Sequence, residues 1–328
     1  MKSFWSSYRT LPPKTRVYLG LGGITLALAG HFVSDWLENK IPVDSQQTID
    51  SASSSQIIDT SQKTSLQKPI NSRISKVMTT SKVPIVYHPG YNIVFWNFEK
   101  IHPFDTQKFK RIHRILLTSG LFNVNSFYEP SPPTSVDIAN LHSTQYLESL
   151  NSNIQIQKIL EVPFLAVLPQ VLVKKKVLDP MLLQTGGSVL AAELALEYGW
   201  GINLGGGFHH AHYDGGGGFC VYADITLMVE KILSKYPDQV SRLMIVDLDA
   251  HQVERGDPLG AMDLSAEAIL KRDELVFQMA LDHGVPIVMV LSGGYQKKNA
   301  EIIAESILNL INKFGLLEGR RKSVMNAH

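Results

Sequence analysis

Two adjacent histidines, His209 and His210, stand between two glycine runs, Gly205-Gly206-Gly207 and Gly215 to Gly218. Imidazole titrates near neutral pH, so such a pair can take up and return protons. Glycines on either side let backbone approach a substrate closely or adopt positive φ. Downstream, Asp247-Leu248-Asp249-Ala250-His251 offers carboxylate and imidazole together. That donor set suits a divalent transition metal such as zinc. A third group, Tyr295, follows the turn Ser292-Gly293-Gly294. Two histidines alone are as easily a solvated loop, and it is the company of the other two groups that shifts the reading.

Each group follows a short apolar run. Trp200 to Leu204 reads as a buried strand, and after the histidine loop Tyr222 to Tyr236 carries Ile225, Met228, Val229, Ile232 and Leu233 at helical spacing. Leu243 to Val246 and Val285 to Leu291 read as two further strands. Three strand ends thus point His-His, Asp/His and Tyr at one sheet edge, where α/β folds bind ligands. Val83 to Tyr87 starts the folded domain as a strand. Asp105 is expected to cap a helix carrying Phe109, Ile112, Ile115 and Leu116. Gln184 to Gly199 reads as a helix ended by its glycine, Ser265 caps a helix through Leu281 that stops at Gly284, and the last helix runs from Gln296 to Phe314. Strand-helix alternation from Ile202 onward predicts an α/β fold, a parallel sheet covered by helices on both faces. His102, His113 and His142 are scattered and read as structural or surface histidines. Cys220, the single cysteine, excludes an intrachain disulfide framework and reads as a small buried residue.

The ordered set resembles the histone deacetylase family of zinc-dependent amidohydrolases. Several segments look like its class IV branch: Pro84 to Tyr87, Glu99 to Asp105, Gln184 to Gly187, the His-His loop, Tyr222 to Ile225 and Lys271 to Phe277. The resemblance covers roughly Val83 to Leu310. It implies the arginase–deacetylase fold and hydrolysis of an acyl-lysine amide, with zinc polarising the carbonyl and activating water. By resemblance Asp249 and His251 are metal ligands, and His209 and His210 handle protons, His210 as general base. Asp247 orients His209, Tyr295 donates to the oxyanion, and Gly218 and Phe219 line the substrate channel. The implied partner is a protein carrying acetyl- or fatty-acyl-lysine.

The chain departs from this pattern at one point. In the family a third metal ligand, an aspartate in a Gly-x-Asp turn, comes shortly before Gly-Asp-Pro/Arg-Leu-Gly. Here Gln252 is followed at once by Val253-Glu254-Arg255 and then Gly256-Asp257-Pro258-Leu259-Gly260. The intervening block, about two βα units of roughly 30 residues each, is missing at 252/253. A sheet lacking internal strands is expected to be incomplete. Catalytic zinc needs three protein ligands plus water, and two are recognisable. The alternatives are therefore an acyl-lysine-binding pseudoenzyme, a splice or gene-model variant of an ordinary deacylase, and a polyamine deacetylase of the same wider fold.

The totals bound the rest. Lys+Arg 31 against Asp+Glu 30 gives +1, which is no electrostatic footprint for nucleic acid. Residues 1–40 form a basic start and an apolar segment. Val17 to Ser34 is uncharged and close to the shortest length that spans a bilayer. A single-pass anchor, a cleavable signal ending near Ala27-Leu28-Ala29 and a mitochondrial presequence all fit. Residues 41–82 are a Ser/Thr/Gln-rich tether, 83–315 the deacetylase-like domain and 316–328 a polar tail. Membrane association through residues 17–34 is expected, with the nucleus suggested by family analogy alone.

Overall fold

A computed structural model describes residues 82–94, 105–249, 264–291, 293 and 298–318. The chain enters through β1 (Ile85–Val86) and continues into helix α1 (Lys108–Thr118). Four short helices follow: α2 (Ser135–Leu141), α3 (Thr144–Ser149), α4 (Asn153–Leu160) and α5 (Gln170–Val173). A π-helical turn, Lys174–Leu178, joins α5 to the long helix α6 (Asp179–Tyr198). Then come β2 (Trp200–Asn203), α7 (Asp224–Lys235), α8 (Ala266–Asp282), β3 (Ile287–Val290) and α9 (Asn299–Phe314).

The three strands form one parallel sheet in the order β1-β2-β3, with Ile85 beside Ile202 and Ile202 beside Met289. Side chains alternate between its faces, as a pleated strand requires. Ile85, Trp200, Ile202, Ile287 and Met289 share a core with Phe109, Ile112 and Leu116 of α1, Phe277 of α8 and Ala304, Ile307 and Leu310 of α9. Val86 and Val288 face the other way, onto Ala191 and Leu194 of α6. Gly201 is the closest approach on that second face. A Cβ there would collide with the backbone carbonyl oxygen of Ala191, so α6 rests directly on the backbone of β2.

The boundaries follow local chemistry. Helix α6 begins earlier than the pattern suggested, at Asp179, because Pro180 suits the first turn of a helix. It ends as expected at Gly199, with φ of 82°. Ser265 caps α8, its Oγ accepting from the Ala268 amide at 3.3 Å. The expected cap at Asp105 is displaced: Gln107 occupies the cap position, and Asp105 instead accepts from the Gln107 amide at 3.1 Å, turning the chain just ahead of α1.

One expected strand does not form. Leu243 to Val246 joins no ladder among the described residues, and the four side chains are 39, 80, 58 and 47 % exposed. The neighbouring edge shows why. β1 is covered on its outer side by Ser126 to Tyr128, through Tyr128 N–H to Ile85 O at 2.9 Å. β3 pairs only with β2 among the described residues, and its four residues are half-buried where those of β1 and β2 are buried. An apolar run becomes a strand only when a neighbour takes its backbone groups and its side chains. Among the described residues the sheet is thus incomplete on the β3 side, as expected. The apolar segment at 17–34 lies outside the described residues, and among these no helix is long and apolar enough to cross a membrane.

Candidate active site

The site lies beyond the C-terminal ends of β2 and β3. Asn203, the last residue of β2, sits under it fully buried, bonded to Tyr91 Oη at 2.8 Å, to Gln184 O at 3.0 Å and to Ser188 Oγ at 3.1 Å. Gly206 and Gly207 then take φ of 71° and 78°, a left-handed backbone that other residues adopt only with strain. The turn delivers His209 and His210, whose rings meet edge to face with centroids 4.3 Å apart.

His209 is mostly buried and His210 is exposed. His209 Nδ1 lies 2.8 Å from Asp247 Oδ2, and its Nε2 lies 3.4 Å from Asp249 Oδ2. Burial works against ionisation of Asp247. The bonds from the His209 ring and the Asp249 amide outweigh it and hold the carboxyl below its ordinary range. As a carboxylate Asp247 can only accept, so the proton of this bond sits on Nδ1, and Nε2 faces the Asp249 carboxylate. The His210 ring packs against Gly218, where a Cβ would collide with it. Phe219 holds φ of 68°, unusual for a bulky residue. Its amide bonds to Ile159 O at 3.2 Å, pinning the loop to α4.

These groups surround a pocket of about 320 Å³, its open mouth included. Phe109, Phe208, Phe219, Cys220 and Leu291 supply apolar walls, and His209, Asp249, Gly206, Gly218 and Gly293 complete it. Burial pushes the Cys220 thiol up to about 12, so it lines the wall as a neutral group. Of the expected site residues, the fold thus gathers His209, His210, Asp247, Asp249, Gly218 and Phe219. His251 and Tyr295 lie outside the described residues, although Gly293 places the turn leading to Tyr295 at the pocket.

Two participants were not singled out from the sequence. Lys108, in the first turn of α1, is fully buried and donates its Nζ to the Gly293 carbonyl oxygen. It holds Gly293, two positions before Tyr295 in sequence. The signal was there: a lysine directly before Phe109 falls on the inward face that Ile112 and Leu116 define. His142, read as structural, is that and more specific than that. It is fully buried, accepts from the Ala223 amide at Nε2 (3.1 Å) and faces the Tyr213 carbonyl oxygen from Nδ1 (3.3 Å), tying both ends of the glycine loop together. His113, also read as structural, stacks on Tyr87 with centroids 4.1 Å apart. His102 lies outside the described residues.

Burial depresses the pKa of His142 below 6.5, so the folded protein favours the neutral ring. Stability from this group is complete above pH 6.5 and is lost as pH falls through the depressed value. Urea midpoints at pH 7.5 and 5.5 are expected to drop further for the native protein than for His142→Gln. Equal drops would refute the assignment.

Comparison with known proteins follows this geometry. The histone deacetylase domain family matches residues 102–254. Histone deacetylase 2 of Arabidopsis thaliana is 33 % identical over 331 residues, covering 77 % of this chain and 85 % of the relative. The chain belongs to the histone deacetylase family. It is, by family, a hydrolase of the deacetylase type. An uncharacterised protein of Picosynechococcus sp. is 31 % identical over 172 residues, covering 52 % of this chain and 53 % of that one. The crystal structure of the HDA15 HD domain aligns with a TM-score of 0.49 at 14 % identity, over 74 % of this chain and 92 % of that one.

Of the two residues that the resemblance assigns to zinc, His251 lies outside the described residues. Asp249 faces the pocket, but among the described residues no three of His, Cys, Asp and Glu converge to hold a metal.

Proposed function

We propose that the pocket binds the acyl-lysine side chain of a protein and that the chain hydrolyses its amide, as a class IV-like lysine deacylase. The observation that carries this reading is the His209–Asp247 pair at 2.8 Å, set at the wall of a narrow pocket between Phe208 and Phe219. A channel walled by phenyl rings suits the methylene stem of lysine. Asp247 holds the proton on Nδ1 of His209, leaving Nε2 to accept a proton from an attacking water or to bond to it. His210, exposed beside Gly218, is the group we assign as general base. The Phe109 and Leu291 walls leave apolar surface for an acyl chain, so acetyl- and fatty-acyl-lysine are both candidate substrates. Zinc is the cofactor this chemistry calls for, and Asp249 with His251 are the residues we assign to it.

A second reading is favoured by a separate observation. In the motif order the family's third ligand has no counterpart before Gly256-Asp257-Pro258-Leu259-Gly260, while pocket and histidine loop are formed. The chain would then bind acyl-lysine without turning it over. Metal content and turnover of the purified full-length chain separate the two. One zinc per chain and release of acetate or fatty acid from lysine peptides support the deacylase. Substoichiometric zinc, intact peptides and saturable peptide binding refute it and leave the binding protein. Turnover of acetylpolyamines in preference to peptides would overturn both.

A further inference from the structure

We propose that Asp224 is the positioning residue of the His209–His210 pair, a role that rests on the deacylase reading of the same site. Asp224 opens helix α7, is fully buried and touches neither histidine ring in the bonds that define its place. Its Oδ2 accepts from the Gly207 amide at 2.8 Å and from Ser188 Oγ at 2.5 Å. Its Oδ1 accepts from the Phe208 amide at 2.7 Å. Two consecutive amides, the last before His209, thus close on one carboxylate.

The surroundings allow little else. A side chain at Gly206 would collide with Ser188 Oγ and approach Asp224 Oδ2 to 2.5 Å. Ser188 is itself held by Asn203 Nδ2 at 3.1 Å, and Asn203 by Tyr91 Oη at 2.8 Å. A run of bonds therefore leads from Tyr91 through β2 and α6 to the backbone that aims the histidines. Three donors on two oxygens require a group that only accepts. An asparagine of the same shape would turn an NH2 toward an N–H and lose at least one bond. The loop would then relax, and His209 would drift relative to Asp247. Displacements of about 1 Å from productive geometry cost on the order of 10²-fold in rate.

The test uses the full-length chain and Asp224→Asn, with kcat and KM on acetyl- and fatty-acyl-lysine peptides and hydrogen exchange at Gly207 and Phe208. The expected result is a kcat about 10²-fold lower with KM within about twofold, and faster exchange at those two amides while β2 amides keep their protection. An unchanged kcat in an active protein overturns the proposal. So does a parallel loss of protection through β2, which would mark Asp224 as a general stabiliser. Should Asp224→Asn fail to fold, Ser188→Ala removes one bond to the carboxylate and is expected to give the same split with a smaller fall. If the native chain turns nothing over, the deacylase reading fails by itself. Exchange then decides the Asp224 role: faster exchange confined to Gly207 and Phe208 supports it, and unchanged exchange there overturns it.

Discussion

Asp247→Asn is expected to lower kcat on acyl-lysine peptides by about 10²–10⁴-fold with KM little changed. The carboxylate sits 2.8 Å from His209 Nδ1 and is held ionised by that bond and by the Asp249 amide. Asparagine is nearly the same size, so the ring stays where it is. Its NH2, however, can donate to Nδ1, which stabilises the tautomer with the proton on Nε2. A ring protonated there cannot accept a proton from water. The loss is therefore chemical, with no need for unfolding, and the urea midpoint of the variant should match that of the native protein. Full activity in Asp247→Asn would remove this carboxylate from the chemistry. A native chain with no turnover at all would instead favour the binding reading, in which the same substitution leaves peptide affinity within a few-fold.

Gly201→Ala carries the largest expected effect on stability, a loss of about 3 kcal/mol, the upper end of the usual cost of overpacking. Its Cβ would collide with the Ala191 carbonyl oxygen and lie 3.3 Å from the Ala195 amide nitrogen. Both are backbone atoms of α6, so no side chain can swing aside. The helix as a whole must lift from β2, and with it Ser188 and the bonds to Asn203 and Asp224. Gly217→Ala is the control, because nothing stands within 4 Å of its Cβ, and it is expected to change stability by less than about 0.5 kcal/mol. Denaturant melts of the two variants against the native chain read the difference directly. Equal midpoints would mean that α6 is not seated on β2 as described.

Much of this site was legible in residue types and order. His209, His210, Asp247 and Asp249 were recognisable because proton transfer and metal binding admit few side chains. The runs before the histidine loop and before Gly293 did become strands β2 and β3, so those two strand ends could be read from the apolar pattern. Gly199, Ser265 and Gly284 marked helix ends through local backbone chemistry, and local signals survive folding. The break in motif order at 252/253 was likewise read from residue order alone. All of these depend on neighbours a few residues apart or on chemistry that only certain residues can perform.

What the tertiary structure decided depends on partners distant in sequence. Leu243 to Val246 has the composition of a strand, yet it stays exposed because among the described residues no ladder reaches it beside β3. Lys108 drew no reading from the sequence, and packing set its Nζ on the Gly293 carbonyl, 185 positions away. Asp224 read as part of a helix start, and only the fold shows its carboxylate closing on Gly207 and Phe208. Pairing between strands, burial of a charge and convergence of backbone amides are properties of three-dimensional neighbours. The sequence by itself pointed to the family of this chain and to the ends of several of its helices. Only the tertiary structure decided which apolar run became a strand and which buried groups aim the histidines.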